Sequence, residues 1–124
     1  MLYIFIDDEE ICNLISKTKL LQVDPTANIL TFESGREAIQ YFQENKDRLS
    51  ADELVIFLDI NMPGMNGFDF LEEYNKLATS LQTIIYVLSS SLDATDKEAA
   101  FQFPVVKDFF GKPFQTSYLS GLAR

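Results

Sequence analysis

The chain has 124 residues, 47% of them hydrophobic, enough for one self-supporting core and too apolar for a disordered tail. Nineteen acidic against 10 basic side chains give a net charge of -9, which repels phosphate backbones and anionic membrane surfaces and argues against direct nucleic-acid binding. There is no leader-like start, no run long enough to span a bilayer, no histidine, and one cysteine, Cys12, with no internal disulfide partner, so a soluble cytoplasmic protein without membrane contact is expected.

The first predicted strand, Leu2–Ile6, is an unbroken apolar run that ends in acid at Asp7, Asp8, Glu9 and Glu10. Ile11, Leu14, Ile15 and Thr18 then share one face of a helix whose first turn carries Glu9 and Glu10, the favourable sign for a helix N-terminus, with Cys12 expected as a small buried residue. Asp24 and Pro25 end that pattern, and Asn28–Phe32 is a short second strand. Ser34 with Glu37 forms a capping box that opens a helix carrying Ala38, Ile39 and Phe42, with residues 44–50 as its polar exit.

Residues 54–58 are a second apolar run with no alternation, as in a strand covered on both faces, and they stop at Asp59. Met62, Pro63, Gly64, Asn66 and Gly67 mark a loop, after which Phe70, Leu71, Tyr74, Leu77 and Ala78 adopt helical spacing. Residues 83–88 are a fourth buried strand that ends in Ser89, Ser90 and Ser91. A weaker helix follows over 93–101, then an edge strand over 105–110 interrupted by Lys107 and Asp108. Gly111, Lys112, Pro113 and Phe114 lead into a short last helix through Leu119 and Leu122.

Five strands alternating with helical patterns predict an open, doubly wound parallel sheet with helices on both faces, and such sheets bind ligands at the carboxyl ends of their strands. That edge gathers Asp7, Asp8, Asp59, Ser89 and Lys112. Clustered carboxylates raise one another's pKa unless a cation compensates them, and a few oxygen ligands suit Mg²⁺ better than a calcium cage. With the charge screened, one carboxylate can attack phosphorus to give an aspartyl phosphate, with Lys112 and the Ser89 hydroxyl meeting the phosphoryl oxygens.

The acid pair after the first strand, the DINMPGMNG loop at Asp59, Ser89 after the fourth strand and the Lys112, Pro113, Phe114 run together resemble the response-regulator receiver domain of two-component signalling, over essentially the whole chain. The resemblance implies a single receiver domain over residues 1–124 with the flavodoxin- or CheY-like strand order 2-1-3-4-5, a topology the family is known for. It further implies that Asp59 is the phosphoacceptor, Asp8 a direct Mg²⁺ ligand, Asp7 a ligand through water, and Asn61 a ligand through its backbone carbonyl. Lys112 would hold the phosphoryl group and Ser89 would swing toward it, with Ser90 the alternative if the register differs. Phe109 matches the aromatic that moves inward with that hydroxyl, Phe110 being its alternative, and Pro113 matches a cis bond that aims the lysine.

The implied partners are a sensor histidine kinase or histidine phosphotransfer protein and an unidentified downstream protein, with the domain a monomer or a phosphorylation-dependent dimer. Two departures from the family pattern stand out: the last helix is short, reaching only Arg124, and no second domain carries an output. Two other functions fit the same residues, a receiver-fold binding module that is never phosphorylated and a Mg²⁺ phosphatase with an aspartyl nucleophile. The phosphatase of the haloacid dehalogenase kind wants an acid at position 61, where this chain has Asn61.

Overall fold

A computed structural model describes residues 1–77 and 81–122, and Ala78 and Arg124 lie outside them. Five parallel strands, β1 (Leu2–Ile6), β2 (Asn28–Phe32), β3 (Glu53–Leu58), β4 (Gln82–Ser89) and β5 (Val106–Gly111), pair in the order β2-β1-β3-β4-β5. Between them run α1 (Glu10–Val23), α2 (Gly35–Glu44), the one-turn α3 (Lys46–Leu49), α4 (Gly67–Leu77) and α5 (Ala94–Phe101). The expected topology and every expected strand are present, with ends shifted by a residue or two.

The absence of alternation in β1 and β3 has its cause in two cores. Ile4, Ile6, Leu54, Ile56 and Leu58 pack beneath Ala38, Ile39 and Phe42 of α2 and Phe70, Leu71 and Tyr74 of α4. The intervening Tyr3, Phe5, Val55 and Phe57 pack on the opposite face with Leu20 of α1, Phe114 and Leu122. Register aligns Phe5 with Phe57 and Phe57 with Tyr86, so the three rings stack across neighbouring strands at centroid spacings of 5.2 Å, and Phe114 meets the first two edge-on. The loop that carries Lys112 is thereby anchored to the middle of the sheet.

Helix starts follow their capping chemistry. Ser34 Oγ accepts from the Glu37 N–H, and Asp93 accepts from the Thr95 N–H. Asn66 and Asp69 accept from each other's backbone N–H groups at the head of α4. Gly67 is required there, because a Cβ would lie 2.5 Å from the Ile60 Cα and 2.9 Å from the Asp59 carbonyl oxygen. Gly64, with φ at 76°, takes the left-handed turn of the preceding loop.

Three expectations need correction. The apolar face of α1 is its outer face: Ile11, Leu14 and Ile15 are 64%, 57% and 43% exposed, and Thr18 is exposed too. The helix packs instead through Asn13, Ser16 and Leu20. The Asn13 amide donates to the Asp7 carbonyl at 3.0 Å and the Phe32 carbonyl at 3.1 Å, and these two bonds rotate the apolar stripe outward, leaving Cys12 only half-buried. The polar exit of α2 contains α3, whose Leu49 is buried in the core. The last helix is a 3-10 segment over Thr116–Gly121, held by Tyr118, which stacks on Phe110 and donates to the Gly111 carbonyl at 2.7 Å.

Candidate functional site at the carboxyl edge of the sheet

The strand ends place the acids side by side. Ile6 pairs with Leu58, and the next residue of each strand is the acid: the Asp59 N–H donates to the Ile6 carbonyl at 2.9 Å and the Asp7 N–H to the Phe32 carbonyl at 3.0 Å. Asp7 and Asp59 are both buried, whereas Asp8 is half-buried at the rim. Carboxylate oxygens of Asp7, Asp8 and Asp59 lie within 4.8 Å of one another. From the other side, the Lys112 N–H donates to the Ser89 carbonyl at 2.8 Å, and the Lys112–Pro113 bond is cis. The Lys112 ammonium sits 2.6 Å from Asp7 Oδ2 and 3.4 Å from Asp59 Oδ2.

Lys112 was expected to serve the phosphoryl position beside Asp59, yet its shorter contact is with Asp7. Burial opposes its charge, but the Asp7 hydrogen bond and the charges of Asp59 and Asp7 outweigh that and push its pKa up. Burial raises the Asp59 pKa, against the lowering effect of the Asn61 N–H and Lys112. That N–H donates to Asp59 Oδ1 at 3.1 Å, while the Glu9 N–H donates to Asp7 Oδ1 at 2.9 Å. One ammonium thus pairs with two of three clustered carboxylates, and the uncompensated charge together with the oxygen donors of Asp7, Asp8 and Asp59 fits a hard divalent cation.

Ser89 is wholly buried, and Ser90 is exposed. The Ser89 hydroxyl accepts from the Ser91 N–H at 3.1 Å and from the Asn61 side-chain amide at 3.5 Å, and it has no bond to Asp59. Phe109 is buried in the core on the α5 side, with the Lys97 ammonium 5.9 Å from its ring centre, whereas Phe110 stacks on the opposite face of the sheet. Pro113 is exposed beside Lys112.

Sequence reasoning missed three contacts here. Asn13 clamps the ends of β1 and β2 from a position that reads only as polar helix surface. Lys19 reaches from α1 to donate to the Phe114 carbonyl at 3.0 Å, a contact spanning 95 positions that no local pattern encodes. The side chain of Asn61 meets Ser89, where only its backbone carbonyl was considered.

The response regulator receiver domain family matches residues 4–124. The chain is 28% identical over 113 residues to the regulatory protein VanRB of Enterococcus faecalis, an alignment covering 91% of this chain and 46% of that one. It is 31% identical over 87 residues to the chemotaxis protein CheY of Thermotoga maritima, covering 68% and 62%. It therefore spans about half to three-fifths of the length of these curated relatives. A two-component response regulator from Cytophaga hutchinsonii superimposes with a TM-score of 0.85 at 29% identity, over 98% of this chain and 92% of that one. Receiver domains are signalling domains that bind Mg²⁺ at an acidic pocket and interact with histidine kinases or phosphotransfer proteins. The acidic cluster beside a lysine, the strand order and the match over nearly all of its length make this chain a member of the response regulator receiver domain family.

Proposed function

We propose that this single receiver domain, residues 1–124, is a phosphoacceptor switch: Asp59 takes a phosphoryl group from a histidine kinase or a histidine phosphotransfer protein. The arrangement of Lys112 between Asp7 and Asp59 carries the proposal, because it supplies an acceptor carboxylate, a neighbouring acid and a cation for phosphoryl charge within one small volume. An Asp59 oxygen attacks phosphorus, the bond to the donor nitrogen breaks, and the phosphoryl group remains on Asp59. Mg²⁺ would be held by Asp8, Asp59 and the Asn61 carbonyl, with Asp7 acting through water, and would screen the charge of the carboxylates and the phosphoryl oxygens. Lys112 pairs with the phosphoryl group, and Ser89 exchanges its bonds to Asn61 and Ser91 for one to that group, with Phe109 moving in concert.

A donor protein must lie across the carboxyl edge to reach Asp59, and there it meets the outward apolar face of α1, Ile11, Leu14 and Ile15. That exposed stripe favours a protein donor over free small molecules as the working partner. A cytoplasmic location suits such a partner, and among the described residues no helix is long and apolar enough to cross a membrane. Intact mass after incubation with Mg²⁺ and acetyl phosphate tests the proposal: wild type should gain one phosphoryl group, and Asp59→Asn none. Equal labelling of both would overturn it.

A further inference from the structure

The outer face of α1 is built like the seam of a helix pair. Ile11, Leu14 and Ile15 stand exposed there together with Thr18, and the spacing 11, 14, 15 and 18 is that of a helix packing on another helix. Glu10 and Lys17 lie two turns apart on one flank of this stripe. Both are exposed, and among the described residues neither has an ion-pair partner within the chain. The apolar stripe is therefore bordered on one side by an acid near its start and a base near its end.

We propose that this face binds a second copy of the chain, α1 against α1, in an antiparallel twofold dimer that needs no phosphoryl group. Like flanks meet in an antiparallel helix pair. With Ile11 of each copy against Leu14 of the other, Glu10 of each copy meets Lys17 of the other, and the two Ile15 side chains meet on the opposite flank. A parallel pair would set Glu10 against Ile15 and Lys17 against Gln22 and match no charge, so the flank charges select the antiparallel arrangement. A contact limited to one helix face belongs with the small interfaces, under about 1,200 Å², and holds weakly. Chains of net charge -9 repel at a distance, and salt at about 0.15 M screens that repulsion beyond about 8 Å, so the dimer forms at physiological ionic strength rather than in dilute buffer. The stripe begins four residues after Asp7, beside the edge that holds Asp59. The second copy thus covers the surface a donor protein must cross, and self-association and donor docking exclude each other.

The test is sedimentation equilibrium of the full chain in EDTA and about 0.15 M salt, without phosphodonor, so that phosphoryl chemistry plays no part. The weight-average mass should rise from one chain toward two as the concentration is raised to about 1 mM, and Leu14→Glu, at an exposed position, should hold it at one chain. Glu10→Lys and Lys17→Glu each set like charges together at both ends of the contact, so either alone should raise the dissociation constant about tenfold. Glu10→Lys also reduces the net charge, so bulk repulsion by itself would move that variant the other way. Mixed in equal amounts, the two variants match every flank charge and should associate as strongly as wild type, as should the chain that carries both substitutions. A mass of one chain throughout would overturn the dimer and leave the stripe to the donor alone. Association untouched by Leu14→Glu, wild-type association of Glu10→Lys by itself, or a mixture that does not recover would overturn it too.

Discussion

Lys112→Met isolates the electrostatics of the carboxyl edge. The side chains concerned are 14%, 7% and 4% exposed for Lys112, Asp7 and Asp59, so solvent screens them poorly and the lysine's loss leaves two buried acids facing each other. Removing one partner of a buried ion pair costs about 3–5 kcal/mol, whereas an exposed pair is worth at most about 1 kcal/mol. The expected loss in EDTA at pH 7.5 is therefore about 3 kcal/mol or more, read from the shift in urea midpoint at constant slope by circular dichroism. Two additions should return stability. Mg²⁺ at a hundredfold its Kd adds about 2.7 kcal/mol if it binds only the folded protein. Replacing Asp7 by Asn in the same variant removes one of the opposed charges, and the two substitutions should be strongly non-additive. A loss below about 1 kcal/mol, with additive effects of Lys112→Met and Asp7→Asn, would refute the picture of a buried, mutually dependent cluster.

Asp59→Asn should act in the opposite sense in the absence of Mg²⁺. Burial lifts the Asp59 pKa above its ordinary 3.8, so the folded protein holds that proton more tightly than the unfolded chain, and stability falls as pH climbs from about 4 through the raised folded value. Melting temperatures between pH 4 and 8 should show that decline in wild type, a flatter profile in Asp59→Asn, and the variant more stable at pH 7.5. Gly67→Ala should cost about 3 kcal/mol in urea unfolding, because the new Cβ meets Ile60 and Asp59 main chain that cannot step aside, while Gly64→Ala, with nothing within 4 Å, should cost only the left-handed conformation, about 1–2 kcal/mol. Paired Ile11→Ser and Leu14→Ser substitutions should leave the urea midpoint within about 0.5 kcal/mol of wild type and slow phosphoryl transfer from a protein donor without changing labelling by acetyl phosphate.

The strands, their order of occurrence and the acids at their ends were legible in the residues, because a strand buried on both faces has no choice but to be continuously apolar and its first charged residue marks where it leaves the core. Leu2–Ile6 running into Asp7, and Leu58 running into Asp59, are that signal twice. Chain order and the rules of parallel sheets then bring those ends to one edge, whereas the strand order itself came with the family resemblance.

What the residues could not declare is orientation and long-range partnership. Periodicity in α1 defines an apolar face but carries no sign, and it is the packing of Asn13, Ser16 and Leu20, with the Asn13 bonds to Asp7 and Phe32, that leaves that face to solvent. The preference of Lys112 for Asp7, and the reach of Lys19 to the Phe114 carbonyl, arise between residues about a hundred positions apart, so they exist only once the sheet has closed the distance. Local pattern determines which segments must be buried and where each ends; the packing of one segment on another decides which way a helix faces and which of two neighbouring acids a buried lysine chooses.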